Sequence, residues 1–164
     1  GNDADYTVEF EPHATSLELE GEGYVVASLG VDSGYVPYTA YSAKRSYISE
    51  NPEIIQSFTN AIQKGLEYVN SHSSKEIAKG IKPQFPETEE IAKTIQPQFQ
   101  ETPLDKLTII VDRYKSQDTW KGDTIFEEES FDLLQNILEE SGELKARVPY
   151  YDLVTTQFSE EALK

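Results

Sequence analysis

Glu9, Glu11 and His13 lie close together near the start of the sequence, and all three could take part in proton transfer, metal ligation or recognition of a polar group. The stretch around them alternates: Tyr6, Val8 and Phe10 would share one face of a strand and Thr7 and Glu9 the other, since side chains alternate along extended chain. Pro12 follows Glu11, and the proline ring disfavours helical backbone at the residue before it. Glu11 is therefore expected at the C-terminal end of a strand, where ligands of open α/β sheets bind. A solvated acid in a strand-to-helix loop gives the same pattern and is the commoner situation for a charged side chain. The spacing of Glu9, Glu11 and His13 matches no metal-ligand motif, and no metal is expected there.

Elsewhere, the residue types needed for catalysis are scarce. There is no cysteine, which removes thiol catalysis, disulfides and thiolate metal sites. The sequence contains no Gly-x-Ser-x-Gly elbow, no His-Glu-x-x-His, no phosphate loop, no dinucleotide fingerprint and no EF-hand loop. Of the two histidines, His72 sits in the polar run Ser71-His-Ser-Ser74 and reads as a helix end. Carboxylates are abundant, but abundance does not single out an acid–base pair. The sequence makes no positive case for an enzyme and implies no cofactor. The net charge of −16 repels phosphate backbones and anionic membrane surfaces, which argues against a nucleic-acid binder.

The chain has 164 residues, enough for a sizeable core. It holds no methionine and no run of about 18 apolar residues, and is expected to be a fragment or processed piece without its targeting segment. A short helix is expected over His13–Glu20, broken by Gly21 and Gly23. A strand is expected over Tyr24–Leu29, then a turn cluster from Gly30 to Gly34. Tyr35, Tyr38 and Tyr41 follow, suited to a ligand cleft or to a half-buried strand, before a crossing that ends in a short helix near Ile48. Asn51-Pro52 opens the strongest helix, over 51–70, with Ile54, Ile55, Phe58, Ala61, Ile62, Leu66 and Val69 at helical spacing. Residues 76–88 recur at 90–102 with 10 of 13 positions identical, a local duplication read as helical packing. Further helices are expected from Leu104 to Tyr114, after Glu127–Glu129 up to a stop at Gly142, and from Ser159.

Several pieces in order carry a resemblance. Asp3-Ala-Asp-Tyr6, Phe10-Glu-Pro12, Gly23-Tyr-Val-Val26, Val36-Pro-Tyr-Thr39 and Asn51-Pro-Glu-Ile54, with Phe58, Ala61, Trp120, Ile125 and Gly142-Glu-Leu144, resemble the substrate-binding proteins of ABC importers. The branch is the one serving nitrate, sulfonates, taurine and thiamine pyrimidine precursors. The resemblance implies an α/β, two-lobed periplasmic-binding-protein fold of which this chain is the helix-rich C-terminal half. Residues 1–35 would end the second lobe, and residues 36–164 would hold the hinge crossing and the C-terminal part of the first. It also implies a non-catalytic protein held outside the cell, as a surface lipoprotein or in the periplasm, that hands a small polar solute to an ABC permease. Glu11, His13, Gly34, Tyr35 and Tyr38 would line the ligand cleft. A carboxylate at Glu11 suits an aminopyrimidine, which offers paired N–H donors, better than a sulfonate. Strands without neighbours would make a homodimer of the fragment plausible. Two alternatives stand beside this reading: an enzyme like the thiamine-pyrimidine synthase, whose cysteine-rich motif is missing here, and a helical interaction module built on residues 76–102.

Overall fold

A computed structural model describes residues 6–82 and 104–164. The second copy of the repeat and residues 83–88 of the first therefore lie outside the described residues. The chain divides into two compact units, each assembled from two stretches: residues 1–28 with 72–119, and residues 29–71 with 120–164.

The first unit contains α1 (His13–Glu20), α5 (Ser74–Ile81) and α6 (Leu104–Ser116). Helix α1 has the limits expected from sequence. Gly21, at φ +76°, closes it: the Gly21 amide donates to the Glu18 carbonyl (3.2 Å) and the Glu22 amide to the Leu17 carbonyl (2.9 Å). Helix α5 opens with a capping box. The Glu76 carboxylate accepts from the Ser73 amide at 2.9 Å, and the Ser73 hydroxyl accepts from the Glu76 amide at 3.4 Å. Helices α5 and α6 pack on each other through Ile77, Ala78, Leu107, Ile110 and Val111, all buried. The start of the repeat thus supplies core, because Ile77 and Ala78 turn toward α6 and not toward solvent.

The second unit contains α2 (Leu29–Ser33), α3 (Arg45–Glu50), α4 (Pro52–Ser71), α7 (Glu128–Glu140), α8 (Tyr150–Leu153) and α9 (Gln157–Ala162). The expected long helix forms within a residue of its predicted ends. Asn51 joins α3 to α4: its side-chain amide donates to the Tyr47 carbonyl (3.1 Å), while its own carbonyl accepts from Ile55 (3.2 Å). Helix α4 packs against α9, and the buried residue on it is Gln63, 3% exposed, while Ile54 and Phe58 are 55% and 44% exposed. Gln63 bridges backbone that no helix satisfies, donating to the Gly122 carbonyl (3.2 Å) and accepting from the Thr124 amide (3.1 Å). Phe126, Phe131 and Tyr150 form an edge-to-face aromatic cluster with centroids 5.7–6.3 Å apart. Helix α7 carries Glu128 and Glu129 in its first turn, as the helix dipole favours, and ends beside Gly142.

The helix-rich expectation holds, but the strands do not. Among the described residues no strand forms: 6–10 and 23–28 have no regular secondary structure, Leu29–Ser33 is a helical turn, and an α/β sheet is not present. A strand exists only when a neighbouring strand takes its amides and carbonyls in a ladder, and among the described residues no ladder forms along either segment. Their apolar side chains face outward instead, with Tyr6 79%, Val8 69%, Tyr24 82% and Val26 72% exposed. No helix among the described residues is long and apolar enough to cross a membrane.

Candidate functional site

Glu11 stands just before α1, across a cis Glu11–Pro12 peptide. Its carboxylate takes three donors: the Thr15 amide (3.1 Å), the Thr15 hydroxyl (2.9 Å) and the Arg113 guanidinium (2.5 Å). Thr15 is fully buried, and the Glu11 side chain is 5% exposed. A carboxylate has about four acceptor positions, so three of them are already used within the protein. Arg113 reaches from α6 and binds Glu18 of α1 with its other terminal nitrogen. Burial pulls the Arg113 pKa down, but the hydrogen bonds it donates to Glu18 and Glu11, with their charges, outweigh it, and the net shift is upward. Glu18 is held below the ordinary carboxylate range, first by the Val25 amide, which it accepts at 2.8 Å, and then by Arg113. Nearby, Lys106 of α6 donates to the Ser16 hydroxyl. Burial, and then the charge of Glu11, raise the Tyr114 phenol.

His13 does not join Glu11. Its imidazole Nδ1 lies 2.7 Å from the Glu9 carboxylate, an exposed pair four residues apart, and this hydrogen bond lowers the Glu9 pKa. Among the described residues no group of three or more His, Asp or Glu is gathered to hold a metal ion.

The other three sequence-derived candidates belong to the second unit. Gly34 adopts φ +78° and its carbonyl accepts from the Val36 amide at 2.8 Å, a tight turn that projects Tyr35. A Cβ there would meet Leu133 of α7 at 3.5 Å, so the turn lies close on α7. The Lys121 ammonium lies 5.7 Å from the Tyr35 ring centre. Tyr35 is 53% and Tyr38 82% exposed, while Tyr41 stands edge-on to Phe58 at 4.9 Å. The same unit has an open hollow of about 480 Å³ whose rim carries Glu127, Glu128, Glu129 and Tyr151. Its acidic rim is chemically unsuited to an anion.

The structure thus joins Glu11 to residues that the sequence reading passed over: Thr15, Glu18 and Arg113. The pairing of Glu11 with Thr15, four residues apart at a helix start, has a local signal. Arg113 has a weaker one, being a basic residue in the last turn of a helix whose apolar face is otherwise Leu107, Ile110 and Val111.

Over 157 residues, 96% of this chain, the sequence is 38% identical to the Bacillus subtilis (strain 168) protein named "Putative binding protein YtlA". The chain spans 43% of that relative's length. No protein-family model matches the chain. No solved structure matches it either.

Proposed function

We propose that this chain is part of a non-catalytic, extracytoplasmic solute-binding protein that serves an ABC importer and takes a small polar solute. The observation that carries this reading is the similarity, over 96% of the chain, to a protein named for binding. The ordered sequence pieces that resemble importer binding proteins support the transport role. The solute we favour is a planar aminopyrimidine-like ring. Tyr35 and Tyr38 present exposed aromatic faces beside a tight turn, and flat polar rings stack on such faces. A sulfonate or nitrate would need a cationic or neutral donor set. Arg113, the half-buried guanidinium nearest to that description, is already taken up by Glu11 and Glu18.

In this proposal Glu11 is a positioning residue. Its carboxylate fixes the start of α1 against α6 and leaves His13 at the surface. The test is a thermal-shift series on the purified protein with aminopyrimidines, taurine and nitrate. A ligand bound by the folded state raises Tm with the logarithm of its excess. An aminopyrimidine should raise Tm and emerge chemically unchanged; a response to taurine alone, or turnover of the ligand, would overturn the reading.

A further inference from the structure

An exposed aromatic ring stacks a flat ligand well only when the ring is already held, because ordering a side chain on binding costs affinity. Tyr35 is the centre of a tight turn, closed by the Val36 amide onto the Gly34 carbonyl at 2.8 Å, so its backbone is fixed. Its ring is reached by Lys121, whose ammonium lies 5.7 Å from the ring centre, within cation–π range. With Tyr35 53% exposed, this contact holds the ring without covering it.

Lys121 is itself held at both ends. Its ammonium lies 3.1 Å from the Glu127 carboxylate, and its carbonyl accepts from the Asn70 side-chain amide at 3.2 Å. Asn70 is in the last turn of α4, and Glu127 immediately precedes α7. The Gly34 turn lies close on the same α7, at Leu133. Lys121 therefore joins the end of α4 and the start of α7 to the ring that the Gly34 turn projects. Its side chain is 30% exposed, and partial desolvation strengthens the attraction between a cation and a ring. An ion pair as exposed as Lys121 with Glu127 contributes little to stability by itself; its use is to fix where the ammonium stands. We propose that Lys121 is a positioning residue for the solute, orienting the Tyr35 ring on which a planar ligand stacks, an inference that rests on the binding-protein reading above. Arginine pairs with carboxylates and stacks on aromatic faces, so it can take over this role; methionine, of similar length and uncharged, cannot.

The test is a double-mutant cycle read by calorimetric titration of 4-aminopyrimidine into the purified protein. Lys121→Met should weaken binding by about three- to tenfold, the cost of ordering one ring. In a Tyr35→Ala background Lys121→Met should have no further effect, because the ring it acts through is gone. Lys121→Arg should bind within about twofold of the wild type. Lys145→Met, which removes an exposed charge elsewhere in the same unit, should leave the affinity unchanged. A second cycle on the urea midpoint of the free protein should show Lys121 and Tyr35 coupled without any ligand. Wild-type affinity in Lys121→Met would overturn the proposal. So would an equal loss with and without Tyr35, no rescue by arginine, the same loss in Lys145→Met, or additive urea midpoints. Each of these, with binding intact in the wild type, would sink the role of Lys121 alone and leave the binding reading standing. No binding by the wild type would sink that reading, and this role with it.

Discussion

The two units are held by different physics. In the first, a small aliphatic core on α5 and α6 is tied to α1 by a charged clamp, with Arg113 between Glu11 and Glu18. In the second, the centre is aromatic, and buried amides take the place of charge: Gln63 on Gly122 and Thr124, Gln135 on the Val148 amide at 2.7 Å. The carboxyls held below their ordinary range among the described residues, Glu9, Glu18 and Glu76, all belong to the first unit. The difference implies that the first unit responds to pH and to loss of one cation, while the second responds to loss of volume and of neutral hydrogen bonds.

The largest effect should come from Phe131→Ala. Phe131 is 8% exposed within the aromatic cluster, and its truncation leaves a cavity costing about 3–5 kcal/mol. Amide exchange should rise first in α7 and α8. Arg113→Met should follow, at about 3 kcal/mol, because the buried Glu11 carboxylate loses its cation. Exchange should then rise first in α1 and α6. The double variant Glu11→Leu with Arg113→Met should recover much of the loss, since no charge is left stranded. If the recovery fails, the clamp works through shape and not charge. Gln63→Leu should cost about 2 kcal/mol by orphaning the Thr124 amide and the Gly122 carbonyl, seen as a lower urea midpoint.

Acid should separate the units more gently. Glu18 has a depressed pKa in the folded chain, so its contribution is complete above the unfolded glutamate value of about 4.3 and is lost as pH falls through the lower folded value. Hydrogen exchange followed from pH 7 into that range should show α1 loosening before α7. Simultaneous loosening would break the contrast between the two units.

Local rules made much of this legible in the sequence. The limits of α1, the Asn51-Pro52 start, the acids opening α7 and the stop at Gly142 depend on neighbours a few positions apart, and all appear where expected. The strands at 6–10 and 24–29 failed because a strand depends on a distant partner, which alternation does not supply. Gln63 escaped notice because a glutamine on a helix normally reads as surface; its partners lie 59 and 61 residues away. The Glu11–Arg113 pair spans 102 residues, so no window around Glu11 could show that its carboxylate is already engaged.

Calorimetric titration of an aminopyrimidine into Tyr38→Ala and Glu11→Gln, each at a temperature where it is folded, tests the central claim most directly. Tyr38→Ala should weaken binding by about three- to tenfold with Tm of the free protein unchanged, the loss of one aromatic contact. Glu11→Gln should lower Tm and leave the affinity of the folded protein intact. Affinity lost in Glu11→Gln and kept in Tyr38→Ala would contradict it, and would return the carboxylate to the ligand.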